Sequence, residues 1–108
     1  MTTLTADQLS LIISGNRLTF AMGPAKAVMD YHADGTLHVA LPGGKERNGT
    51  WSIGPGDAYT AQWSDADGPS RTSFQQTADG FIAQDADSGE PRGQILAIHP
   101  GQAGAESR

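Results

Sequence analysis

Two periods of apolar residues run along this chain, and they change over near residue 16. Before that point apolar residues recur at helical spacing, with Leu9, Ile12 and Ile13 on one stripe. Thr5 precedes Ala6-Asp7-Gln8 in the Thr-x-x-Gln pattern that satisfies orphan amides at a helix start, and Asp7 suits the positive end of the dipole. Leu4 before the cap and Leu9 inside form a hydrophobic staple, and Gly15 is placed to end the helix. The pattern predicts a helix over 6–14. Such a helix is shorter than the ~12–15 residues that are stable alone, so it must dock on an apolar surface.

From Arg17 onward helical spacing gives way to alternation, with turn residues every ~8–12 positions, as in an all-β sandwich or barrel. Eight strands are predicted, at 17–22, 28–32, 36–41, 49–53, 58–63, 71–76, 81–84 and 93–98. Each carries β-branched, aromatic or leucine residues and is bounded by Gly, Pro, Asn or Asp. Ala33-Asp34-Gly35 and Ala78-Asp79-Gly80 predict tight hairpins of the primed type, and Gly54-Pro55-Gly56-Asp57 a short reversal. Residues 42–48, 64–70 and 85–92 read as longer surface loops, and sequential hairpins imply a meander. The Ala-Asp-Gly triplet recurs at 33, 66 and 78 at unequal intervals, so it is repeated turn chemistry and not a structural repeat.

Alternation also assigns faces. Leu18 and Phe20; Leu37, Val39 and Leu41; Trp51 and Ile53; Tyr59, Ala61 and Trp63; Phe74; and Leu96 and Ile98 point one way and form the predicted core. Thr19, His38, Ala40, Ser52, Thr60, Gln62, Ser73, Gln75 and Ala97 point the other way and predict a wet face. An antiparallel sheet wet on one side hides the other by curling into a barrel. The expected architecture is one domain over 1–100, all-β, an antiparallel barrel of about eight strands with the helix at one end, and a disordered tail over 101–108.

Composition narrows the function. With 14 glycines, 6 prolines and 37% hydrophobic residues, the chain fits a turn-rich globular domain. Twelve acidic against seven basic residues give a net charge of -5, the wrong sign for a surface that neutralises phosphates. The cations are scattered, so neither nucleic acid nor an anionic membrane is an expected partner. The absence of cysteine removes disulfides, thiolate metal sites and cysteine nucleophiles. The N-terminal residues have neither a basic start nor a long apolar run. They predict a cytoplasmic protein as written, and a secreted or periplasmic one if a signal peptide was removed.

Candidate chemistry is sparse, with no Gly-x-Ser-x-Gly elbow, phosphate loop, dinucleotide fingerprint or His-Glu-x-x-His. No catalytic residue, metal or cofactor is expected. Asp30 and His32, two apart on one face, with Asp34 two residues further at the strand end, are the best candidates for a base and its orienter or for metal ligands. A zinc site wants three or four ligands, however, and His38 and His99 have no assigned place near them. Asp65-x-Asp67-Gly68 and Asp85-x-Asp87-Ser88-Gly89-Glu90 look like the start of calcium loops. Position twelve is Gln76 in the first and Leu96 in the second, where an EF-hand needs a glutamate, so acidic turns are the expected reading. Asn48-Gly49-Thr50 matches a glycosylation sequon by letters and reads as a turn entering a strand.

Tyr31-x-x-Asp34-Gly35-Thr36, Gly49-Thr50-Trp51-x-Ile53 and Trp63 together resemble the small bacterial domains of unknown function, often secreted, with a lipocalin-like or calycin-like antiparallel barrel. The likeness spans residues 8 to 83 and implies that fold and no particular activity. That resemblance also implies a cysteine shortly before the second tryptophan. Thr60 stands there instead, and no partner cysteine exists.

Trp51, Tyr59 and Trp63 are the largest aromatic group, and in such a barrel they either close one end of the core or line a small apolar pocket. An eight-stranded interior is just wide enough for its own side chains, which favours closure. For a pocket, the expected ligand-binding residues are Tyr31, His32, Trp51 and Trp63. Three functions follow. A non-enzymatic module would hold a small apolar or amphipathic ligand in the barrel mouth. An interaction module would act as a homodimer through a sheet edge or aromatic face. A small enzyme would use Asp30 and His32.

Overall fold

The computed structural model describes residues 2–103. A two-residue strand β1 (Thr2–Thr3) and a helix α1 (Ala6–Ile13) lead into eight strands. These are β2 (Arg17–Met22), β3 (Ala25–Tyr31), β4 (Thr36–Ala40), β5 (Glu46–Gly54), β6 (Ala58–Trp63), β7 (Ser70–Thr77), β8 (Gly80–Asp85) and β9 (Pro91–His99). From β2 each strand pairs antiparallel with the next, and β9 returns to β2 with Leu18 opposite Ile98, closing an up-and-down barrel. The barrel is consistent with the lipocalin-like architecture, and its closure leaves no open edge between β9 and β2.

One seam is incomplete. β6 meets β7 only from Tyr59–Thr72 to Ala61–Ser70, after which β7 runs on without β6 on that side. The N-terminus fills the gap: Thr2 pairs with Gln76 and Thr3 with Gln75, and the Leu4 N–H donates to the Phe74 carbonyl at 2.9 Å. This short strand explains why Ser73 and Gln75 are buried although they face outward, contrary to the wet face expected from alternation.

The helix follows its sequence signals closely. Gln8 N–H donates to Thr5 Oγ1 at 3.2 Å while Thr5 N–H donates to Gln8 Oε1 at 2.9 Å, completing the capping box. Asp57, in the β5–β6 turn, accepts from the Ala6 N–H at 2.9 Å and ties the helix start to the barrel. Leu9 and Ile13 are fully buried, and Leu4 joins their cluster with Leu18, Tyr31, Leu37 and Phe74. At the other end Gly15 takes φ +75°. The buried Asn16 donates to the Ile12 carbonyl at 2.6 Å and accepts from the Gly101 N–H at 2.9 Å. Residues 101–103 thus return to the helix end, while the rest of the expected tail, 104–108, lies outside the described residues.

Three details depart from the pattern, each with a local cause. β3 begins at Ala25, earlier than expected, because Gly23-Pro24 makes a two-residue hairpin in which Met22 pairs with Ala25. The Asp-Gly turns are not of the primed type, since among the described residues Asp57 alone has positive φ without being glycine. At residues 33–35 the Gly35 N–H donates to the His32 carbonyl and the His32 N–H to the Thr36 carbonyl, with Gly35 at φ +93°, the three-residue loop with a glycine bulge. On β9 the register against β2 shifts between Thr19 and Phe20, so that Ile95 faces the core and Leu96 is 46% exposed, reversing the inward placement expected for Leu96.

Candidate functional site

The barrel interior divides into two layers along its axis. Toward α1 it is solid. Tyr31 packs edge-to-face on Trp51 and Tyr59, with ring centroids 6.0 and 5.4 Å apart, and Phe74 does the same with Tyr59 and Phe20. The Tyr31 and Tyr59 hydroxyls are 2.8 Å apart, fully enclosed, and Tyr59 also bonds Thr72. Burial pushes both phenols up. For Tyr59 the hydrogen bonds to Tyr31 and Thr72 and the nearby charge of Arg92 act in the opposite direction.

Away from the helix the interior opens into a cavity of about 160 Å³. Its apolar lining comes from alternate inward positions: Phe20 on β2, Ala27 and Met29 on β3, Val39 on β4 and Ala61 on β6, with Tyr59 at the floor and Trp63 and Leu41 at the rim. The polar lining is Ser70, Thr72, Arg47 and Arg92, and among the described residues no carboxylate lines it. An otherwise acidic chain therefore presents two guanidinium groups to its one-ended apolar chamber.

Each arginine has a structural reason to be there. Arg47 begins the inward run Arg47, Gly49, Trp51, Ile53 of β5, and its guanidinium lies 4.5 Å from the Trp63 ring centroid while pairing with Asp65 at 2.8 Å. That pairing holds the Asp65 carboxyl below its ordinary value. Arg92 sits where the β8–β9 register shifts between Ala83 and Gln84, and this bulge turns its side chain into the mouth. There Nη1 reaches Thr72 Oγ1 at 3.4 Å and Nη2 donates to Asp85. Asp85 also accepts from the Ser88 and Asp87 amides. The Ser88 amide, Arg92 and the Asp87 amide, in that order, bring its carboxyl down to about 2.

Of the four residues proposed from sequence as a pocket lining, Trp63 is on the cavity. Tyr31 and Trp51 lie in the solid layer nearer α1, with Trp51 Nε1 donating to the His32 carbonyl at 2.9 Å, and His32 occupies the adjoining β3–β4 turn. The structure does not bring the four together. Asp30 points outward, 5% exposed, in a bidentate pair with Arg17 at 2.7 and 3.0 Å. His38 bonds Glu46 at 2.9 Å on the same outer face, and His99 is opposite Arg17. The acidic loops are likewise occupied: Asp65 by Arg47, Asp85 by Arg92 and Asp87 by Arg71 at 2.5 Å. Among the described residues no group of three His, Asp or Glu side chains converges on one point.

Sequence reading missed Arg47, Met29, Thr72 and Arg92 as lining. Alternation could have placed Met29 beside Tyr31, and Arg47 beside Trp51 had β5 been extended to its true start. Arg92 carried no such signal, because a bulge is a property of strand pairing. Compared with family models, with curated proteins and with solved structures, the chain gives no match. No helix among the described residues is long and apolar enough to cross a membrane.

Proposed function

We propose that this protein is a non-enzymatic binding module that holds a small apolar or amphipathic molecule in the barrel mouth. The observation that carries this reading is the one-ended cavity of about 160 Å³, walled by Phe20, Met29, Val39, Tyr59 and Trp63 and rimmed by polar groups. Apolar walls with a few convergent polar groups are what small-molecule sites share. An apolar space of ~150 Å³ holds a molecule the size of benzene, which sets the scale of the ligand's buried part. Native mass spectrometry of protein purified gently from its host, beside the denatured mass, tests it. A reproducible excess mass at unit stoichiometry supports the reading, and a bare chain that also fails to take up small aromatic or acyl probes overturns it.

The alternative, a homodimer, is favoured by Leu11, which is 81% exposed on α1 beside a shallow groove formed with Leu4, Ile12 and Phe81. The same native spectra distinguish it, since a dimer without added mass would move the function to that surface.

A further inference from the structure

We propose that the head group of the ligand is a carboxylate, received at the cavity mouth by Arg92 together with Thr72, while a compact apolar body lies against Phe20, Met29 and Trp63. The inference rests on the reading of the cavity as a ligand site, and it names the chemistry of what enters. Three observations carry it. The polar groups on the lining are two guanidiniums and two aliphatic hydroxyls, with no carboxylate of the described residues among them, so the chamber disfavours a cationic head. Arg92 reaches this position through a bulge, a distortion that re-aims one side chain at the expense of a ladder pairing. Its contact to Thr72 is long, at 3.4 Å, and among the described residues no acceptor other than Thr72 Oγ1 and Asp85 engages its five donors.

Asp85 fixes the orientation of Arg92 from one side. It is itself held by the Asp87 and Ser88 amides at 2.8 and 3.0 Å, so it need not move when a ligand arrives. Nη2 is then anchored on Asp85 while Nη1 lies beside Thr72 on the cavity lining, and a guanidinium fixed in this way can receive a carboxylate through its remaining donors. Thr72 Oγ1, next to Nη1, can donate its proton to the same carboxylate. Arg47 is a poorer receptor, because both Nε and Nη2 are given to Asp65 and its face is stacked on Trp63. With a cavity of about 160 Å³, the buried body is limited to a benzene ring or a short acyl chain.

The test compares matched probes on the full chain: benzoate with benzyl alcohol, and hexanoate with 1-hexanol. Binding is followed by calorimetry and by the Met29 methyl and Trp63 indole resonances. Each acid should bind at least about tenfold tighter than its alcohol, with the preference shrinking as salt is raised. R92Q should abolish that preference while leaving the alcohols within about twofold, and R92K should retain part of it. Thermal unfolding of both variants shows whether they are folded, and R47Q, which removes the other cation of the lining, should weaken the preference less than R92Q does. Equal binding of acid and alcohol overturns the carboxylate assignment while the ligand-binding reading stands. A preference that survives R92Q but is lost in R47Q overturns the role of Arg92. Failure of all four probes to bind overturns both readings together.

Discussion

The hydroxyl of Tyr31 lies 2.8 Å from that of Tyr59, and both rings are enclosed by the barrel. Among the described residues no buried side-chain polar atom lacks a partner, so this pair is where two polar groups in the centre of the core answer each other. Tyr59→Phe should cost about 1–3 kcal/mol, because it strands the Tyr31 hydroxyl in an apolar surround. Tyr31→Phe should cost less, since Tyr59 keeps Thr72. Urea unfolding of the two singles and the double should show a double mutant less damaged than the sum.

Alkaline stability follows from the same pair. Both phenols titrate above 10.0 when folded and near it when unfolded, so the folded state retains protons that the unfolded state releases. Their contribution is fully present below pH 10 and is lost as pH rises above it. The chain has only two tyrosines, so phenolate absorbance reports on this pair alone. It should rise late and together with loss of near-ultraviolet circular dichroism. Phenolate signal at its ordinary midpoint in folded protein would contradict the enclosed pair.

At the acid end the sign reverses. Asp85 is brought from 3.8 to about 2, so its contribution is present above pH 3.8 and is lost as pH falls toward 2. Carboxyl carbon shifts of Asp85 should show a depressed midpoint in the wild type. In R92Q the midpoint should move upward only in part, because the Ser88 and Asp87 amides remain.

Gly49 is fixed by strand approach and not by its φ angle. A Cβ there would lie 2.3 Å from the Gln62 carbonyl oxygen, on the backbone of β6. Gly49→Ala should therefore destabilise by about 2 kcal/mol or more, through displacement of β6. Gly68, where an added Cβ meets nothing within 4 Å, is the control, and Gly68→Ala should change stability by no more than about 0.5 kcal/mol in denaturant titrations.

Asp57 combines a cost and a gain. It holds φ +54°, unfavourable for any residue with a side chain, yet its carboxylate accepts from Ala6 N–H at the start of α1. Asp57→Ala keeps the strain and loses the bond, and should cost about 1 kcal/mol. Asp57→Gly loses the bond and relieves the strain, and thermal melts should place it above Asp57→Ala.

Much of this molecule is legible in its residues. Thr5 and Gln8 cap the helix because the capping box is a contact between near neighbours, and the alternation of Leu37, Val39 and Leu41 or Tyr59, Ala61 and Trp63 follows from the strand's period of two. The eight strands and their order were therefore accessible, since a meander needs only local hairpins. Strand pairing decided what local pattern could not. The bulge on β9 turned Leu96 out, another register shift turned Arg92 in, and the N-terminus buried Ser73 and Gln75 by completing the edge of β7. Those residues obey distances set across the barrel, between chain positions far apart in sequence. The cavity belongs to the same class: it is what remains when side chains from separate strands fail to fill the upper interior. Its chemistry depends on a bulge and on contacts between strands, neither of which leaves a mark on hydrophobic periodicity.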